Sequence, residues 1–317
     1  MKSILLALIA AWALPAHAQT YPNKPVHVVI SFTAGSATDI VGRLVSAKLA
    51  EYWGQPVVPE NRAGAGGSIG SALVAKAAAD GHTLLINSNA HSVNPAIYAK
   101  LPYDTAKDFV DIVPLSMAPN VLVVPVASPH KSLMDLVSHG KAKPGAINFG
   151  HAGVGSGTHL NTEKLIAAAD IKVTQVPFKG TPEVVQALFS NSVDCYWAPI
   201  SAGMAHIKSG KLRALAVSSA KRSPALPEVP TTGEAGVRGA DAPLWFGVWG
   251  PAGVPADIVG KINADVRKAL ADPGVKEKLA NLGNDAMDMS PQEFARFVRS
   301  ELDDYQRVVR AAGIKPQ

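Results

Sequence analysis

The segment His151-Ala152-Gly153-Val154-Gly155-Ser156-Gly157-Thr158-His159 brings two imidazoles and two hydroxyls together. It is not a nucleophile elbow, because the residues two before and two after Ser156 are Val154 and Thr158 instead of glycines. His159 and Glu163 stand four apart, one turn of a helix, but the sequence supplies no third ligand, so a metal centre is not indicated. A glycine loop between a strand and a helix start accounts better for the pattern. There, free backbone N–H groups and the hydroxyls of Ser156 and Thr158 point outward and suit an anion such as a carboxylate. A second segment of the same kind is Ser31-Phe32-Thr33-Ala34-Gly35-Ser36-Ala37-Thr38-Asp39. Its small residues let a ligand approach the backbone closely. Asp39 reads as a cap or first-turn acid that favours the helix dipole. Open α/β sheets bind ligands beyond the carboxyl ends of their strands, and both loops belong there, placed to face one another across a cleft.

Other candidate chemistry is weaker. Gly64-Ala65-Gly66-Gly67-Ser68-Ile69-Gly70 has its last glycine one residue late for a dinucleotide fingerprint, and no acid follows at the usual distance. A tight turn with close helix packing is the better reading, and no Walker lysine motif is present. The single cysteine, Cys195, lies in the apolar run Val193-Asp194-Cys195-Tyr196-Trp197 and reads as a buried structural thiol. The formal net charge is +5, with the basic residues scattered, which argues against nucleic-acid binding and is compatible with anionic solutes.

These loops sit in a chain that alternates strand and helix. Strands are expected over 26–31, 57–58, 83–87, 120–125, 146–150, 172–177, 193–197, 212–218 and 244–250. Helices are expected over 39–51, 71–79, 132–139, 158–169, near Met204, and over 257–271, 274–281 and 292–311. Ser132 with Asp135 forms a capping box, and Thr181-Pro182-Glu183 opens a helix with Thr181 as the cap. The pattern implies parallel sheets covered by helices, divided between two α/β lobes, without evident sequence repetition. At the N-terminus, Lys2, an apolar run from Ile4 to Leu14 and Ala16-His17-Ala18 make a secretory signal over residues 1–18, with Gln19 the first mature residue. The run is short for a membrane span.

At its loops and turns the chain resembles the substrate-binding receptors of tripartite tricarboxylate transporters, the Bug type of periplasmic receptor. The resemblance runs from Tyr21-Pro22-Asn23-Lys24-Pro25 through the Phe32–Asp39 loop and Glu60-Asn61-Arg62-Ala63-Gly64-Ala65-Gly66-Gly67. It continues through Asn94-Pro95-Ala96-Ile97-Tyr98, Pro177-Phe178-Lys179-Gly180, Gly210-Lys211-Leu212-Arg213-Ala214-Leu215-Ala216-Val217 and Ser223-Pro224-Ala225-Leu226-Pro227. It implies an α/β, type II periplasmic-binding-protein fold with a two-strand hinge. One lobe would span 19–121 and 244–317, the other 122–243. It further implies a periplasmic, monomeric receptor without cofactor or catalysis. Such a receptor captures a small carboxylate by cleft closure and hands it to membrane transporter subunits or to a sensor. An orphan sensing receptor and a secreted α/β hydrolase are the alternatives.

In this family the ligand carboxylate lies between two pincer loops. By resemblance these are Phe32, Thr33, Ala34, Gly35, Ser36, Ala37, Thr38 and Asp39 on one side, and the loop from Gly153 to His159 on the other, with Gly155, Ser156, Thr158 and His159 as its contacts. The pocket wall would add Ser88, Asn89, His91, Phe178, Lys179, Gly180, Trp197 and Ala198. Ser31, Thr33, Ser36 and Ala37 replace the family's prolines and two of its glycines. Ala198 stands where many members carry an acid, so an amino-acid ligand is disfavoured. Trp197 beside Ala198 points to a larger, apolar wall and an aromatic or extended carboxylate.

Overall fold

The short β-branched runs of the sequence form strands of two sheets in a computed structural model that describes residues 21–311. The signal segment and Gln19 lie outside the described residues. The first stretch runs β1 (Val26–Ile30), α1 (Ala37–Trp53), β2 (Val57–Asn61), α2 (Ser68–Val74), β3 (Thr83–Ser88), α3 (Ala90–Ile97) and β4 (Phe109–Ala118). The second runs β5 (Asn120–Pro125), α4 (Leu133–Ala142), β6 (Asn148–His151), α5 (Gly157–Ala169), β7 (Thr174–Pro177), α6 (Thr181–Phe189), β8 (Cys195–Pro199), α7 (Ile200–Lys208) and β9 (Leu212–Val217). The chain then returns with β10 (Leu244–Pro251), α8 (Ala256–Ala271), α9 (Pro273–Asn281), β11 (Asp285–Ala286) and α10 (Pro291–Ala311).

One sheet has the order β11-β4-β10-β3-β1-β2, the other β7-β6-β8-β5-β9. Both are built on one plan. β1 lies between its parallel partners β2 and β3, and β6 lies between its parallel partners β7 and β8. An antiparallel strand follows in each, β10 beside β3 and β5 beside β8. This architectural repeat is invisible in the residues because strand order depends on crossover handedness and burial, which many sequences satisfy. Its consequence is functional: the β1–α1 and β6–α5 turns occupy equivalent places, at the carboxyl end of a central strand.

Each sheet has its own apolar core. Val28, Ile30, Leu84 and Ile86 pack with Val41 and Val45 of α1 and Ile262 and Val266 of α8. Leu122, Phe149 and Trp197 pack with Leu136 of α4 and Leu165 of α5. Cys195 shares this second core, and burial pushes its thiol well up, as befits a structural group. The Ser132–Asp135 capping box is present.

Several boundaries differ from expectation. Gly180, not Thr181, caps α6, because the Thr181 hydroxyl is drawn to the Tyr196 hydroxyl at 2.8 Å. Helix α2 stops at Val74. Three elements were not foreseen: β4, α3 and the two-residue β11. β4 is disguised by Pro114, which a central strand normally excludes; here it falls at a register shift opposite Gly247. α3 is disguised by its polar composition and by Pro95.

His91, expected in the pocket wall, belongs to the core instead. Its ring lies 4.6 Å from that of Phe109 and 4.5 Å from that of Trp249, with Tyr103 stacked beyond. It is fully buried, and that burial lowers its pKa to about 3. The reason is directional: Ser88 and Asn89 sit at the strand end, whereas one step into α3 the side chain turns back over the sheet. A group protonated in the unfolded chain but neutral when folded withdraws stability as the pH falls from about 6.5 towards 3. Replacing it should remove that loss. Between pH 7.5 and pH 4.5, His91→Leu should lose about 2–3 kcal/mol less unfolding free energy than the wild type, measured by urea denaturation at both pH values.

Candidate functional site

The two strand-to-helix loops are built alike, bond for bond. In the first, Ser36 N–H donates to Thr33 O at 3.1 Å; in the second, Ser156 N–H donates to Gly153 O at 3.0 Å. Gly35 and Gly155 adopt left-handed φ of 78° and 79°, which glycine tolerates without cost. Ser36 and Ser156 then cap α1 and α5 with nearly identical backbone angles. Their hydroxyls accept from Asp39 N at 3.3 Å and from His159 N at 3.2 Å. The side chain three residues beyond each cap reaches back to the glycine amide, as Gly35 N–H to Asp39 Oδ2 at 2.9 Å and Gly155 N–H to His159 Nδ1 at 3.3 Å.

With the serines committed to capping, the amides of Ala37 and Thr38, and of Gly157 and Thr158, have no partner within their own helices. They converge on one cavity. Phe32, Ser36, Ala37, Thr38, Ser88 and Leu244 line it from the first lobe, and Ala152, Ser156, Gly157, Thr158, Thr181 and Pro199 from the second. None of these side chains is charged. Each helix N-terminus carries the equivalent of about half a positive charge, and the two are opposed across the gap. Chemically, this is a site for an anion held by backbone amides.

The lobes touch through glycines. A Cβ on Gly157 would come within 2.5 Å of Asn89 Oδ1, one on Gly155 within 2.2 Å of Asn94 Oδ1, and one on Gly180 within 1.9 Å of Thr33 Oγ1. Phe32, Ala90 and Ala152 form a small apolar contact across the cleft, and Leu160 of α5 packs with Val93 of α3 and Tyr305 of α10. Tyr98 OH also crosses, donating to Val154 O at 2.8 Å. In this arrangement the cavity measures about 20 Å³, no more than a single water requires.

The residues singled out in the sequence take several different places. Phe32, Ser36, Ala37, Thr38, Ser88, Ser156 and Thr158 line the cavity. Asn89 stands against Gly157, its Nδ2 donating to Tyr305 OH at 3.2 Å. Asp39, Gly35, Gly155 and His159 brace the loops from behind, through the bonds described above. Asp39 is further held by Arg43 Nε at 2.8 Å and Asn61 Nδ2 at 2.7 Å. Thr33 and Gly180 meet across the lobes, Ala34 is exposed, and Phe178 and Lys179 line an outer groove with Val154 and Glu183.

Trp197 and Ala198 do not form the expected wall. The Trp197 ring is fully buried in the second lobe's core beside Leu122 and Phe149, while Ala198 turns to the opposite sheet face among Val121 and Ile200. Alternation along β8 sends successive side chains to opposite faces, both covered, so the strand presents Pro199 to the cleft. The inference from Trp197 to an aromatic ligand loses its basis. Sequence reasoning in turn missed Ala152, Thr181, Pro199 and Leu244 as lining residues. All but Leu244 lie at or just past the carboxyl end of a parallel strand in the second sheet, a signal available once the strands were assigned. Among the described residues no group of three or more His, Cys, Asp or Glu is placed to hold a metal, and no helix is long and apolar enough to cross a membrane.

Comparison with known proteins agrees with this fold. Residues 41–314 match the tripartite tricarboxylate transporter family receptor. The protein BugT of Bordetella pertussis is 36% identical over 311 residues, covering 96% of this chain and 94% of its own. The structure of Rpa4515 of R. palustris with adipate superimposes with a TM-score of 0.90 at 35% identity, covering 94% of this chain and all of that one. MatC of Rhodopseudomonas palustris with bound malate gives a TM-score of 0.87 at 34% identity over 91% of this chain and all of its own. The periplasmic binding protein BugD matches with a TM-score of 0.90 at 31% identity over 94% of this chain and all of that one. The chain therefore belongs to the tripartite tricarboxylate transporter receptor family, with the two-lobed α/β fold of its Bug-type periplasmic binding proteins.

Proposed function

We propose that the protein is a periplasmic receptor that captures a small carboxylate between the two capped loops, by closure of its lobes. We further propose that it passes the solute to membrane subunits of a tripartite tricarboxylate transporter without altering it. The observation that carries this is the pair of opposed helix N-termini around a cavity without charged side chains. An anion satisfies both at once, whereas a cation meets no carboxylate there. The relatives with adipate and with malate support a dicarboxylate as the solute class. The serine that an α/β hydrolase would need as nucleophile is occupied otherwise: Ser156 Oγ accepts from His159 N–H and pairs with Thr158 Oγ1 at 3.0 Å.

The lobes would be 19–121 with 244–317, and 122–243, hinged where β4 passes into β5 and where the chain returns to β10. A dicarboxylate is several times larger than a water, so binding requires a wider spacing of the lobes than the contact described above. Ligand then shifts an existing open–closed equilibrium by bridging both sides.

Titration of the purified protein with a dicarboxylate series, malate and adipate included, should give saturable one-to-one binding by calorimetry, with the solute recovered unchanged. Conversion of the solute, or failure of every carboxylate to bind, would overturn the reading. Ser156→Ala removes the α5 cap and should weaken binding by about 1 kcal/mol, close to fivefold. Gly157→Val places a side chain against Asn89 and Leu244. It should abolish the ligand-induced decrease in radius of gyration measured by small-angle X-ray scattering.

A further inference from the structure

The twin loops differ in the group that holds the turn. In the first, Gly35 N–H is accepted by the Asp39 carboxylate, which Arg43 and Asn61 hold in turn. In the second, Gly155 N–H is accepted by an imidazole, His159 Nδ1. The other ring nitrogen, Nε2, lies 3.4 Å from Glu163 Oε1, and Gln175 Nε2 donates to the same oxygen at 2.6 Å. These contacts select one tautomer: hydrogen on Nε2 toward the carboxylate, lone pair on Nδ1 toward Gly155.

We propose that His159 is a positioning residue that makes ligand capture depend on pH: neutral, it holds the second loop in binding shape through Gly155, and protonated, it lets the loop go. This rests on the carboxylate-binding reading and adds its regulation. An imidazolium carries hydrogens on both nitrogens, so its Nδ1–H would confront the Gly155 N–H, donor against donor. Gly155 lies inside the Gly153–Ser156 turn that sets the start of α5, and with it the amides of Gly157 and Thr158. Affinity is therefore present at neutral pH and lost as the pH falls. The first loop holds its glycine with an ion-paired carboxylate and has no such weakness.

The groups around His159 keep their own charge states in mild acid. On the same helix, burial pushes the Glu163 carboxyl up, but hydrogen bonds from His159 and Gln175 outweigh this and hold it below its usual range, so it stays anionic. From β6, the His151 ring lies 4.7 Å away; burial first, and the His159 charge second, lower its pKa to about 3, so it stays neutral in mild acid. From β7 comes Gln175, which does not titrate. From α3 comes Tyr98, whose phenol is pushed up by burial and stays neutral. Lys179 and Glu183 lie on the outer side of the loop, with Glu183 accepting the Lys179 amide at 2.9 Å.

The test compares wild type with His159→Asn, whose amide oxygen can accept from Gly155 as Asp39 does from Gly35, but cannot take up a proton. In the ligand-free protein, amide hydrogen exchange read by NMR, corrected for its intrinsic pH dependence, should show Gly155 losing protection between pH 7.5 and pH 5.5 while Gly35 keeps it. In His159→Asn, Gly155 should keep it too. With malate or adipate as probe, wild-type Kd should rise about tenfold more over that range than the Kd of the variant, an excess coupling of about 1.4 kcal/mol. Titration of the probe itself cancels between the two proteins. Equal pH dependence of wild type and variant, or unchanged Gly155 protection in the wild type, would overturn the proposal. If neither probe binds, the exchange measurement alone decides the role of His159, and the carboxylate reading stands or falls on the full series.

Discussion

The structure depends on two helix N-termini, those of α1 and α5, that border one gap which no charged side chain lines. Like partial charges so placed repel, and each terminus keeps amides that its own helix cannot satisfy. An anion between them answers both at once. The alternative neutraliser, a carboxylate side chain built into the gap, would occupy the site permanently, and the lining residues avoid it: Ala37, Thr38, Gly157 and Thr158 are small and uncharged. What draws the lobes together is apolar contact at Phe32, Ala152 and Leu160, together with hydrogen bonds such as Tyr98 to Val154.

The rest of the fold supplies the means of holding those termini in place. Each helix begins at the carboxyl end of a central parallel strand, each turn is closed by a left-handed glycine, and each serine caps its own helix. A recognition surface made of backbone is insensitive to most side-chain changes. Glycines at the contact points let the two lobes approach to backbone distance, which a single Cβ at Gly155 or Gly157 would forbid.

Buried groups show how composition misleads. His91 and Trp197 lie within two residues of cleft residues in the sequence, yet both fill cores, because the cleft takes only the strand ends and the elements around them cover the side chains that follow or precede. His151 and His159 stand eight apart and form one cluster with Glu163. From behind the loop, His159 accepts the Gly155 N–H.

The strand–helix alternation, the two glycine loops and the Ser132–Asp135 capping box were legible in the residues, because each rests on local rules: hydrophobic period, capping chemistry and the conformational freedom of glycine. The family was legible too, from motifs strung along most of the chain. The pairing of the lobes, the equivalence of the two loops, the burial of His91 and Trp197, and the entry of Thr181 and Pro199 into the cavity were decided by tertiary structure. They depend on which face of an element is covered and by what, and contacts between residues far apart in the chain are not written in the local pattern of either.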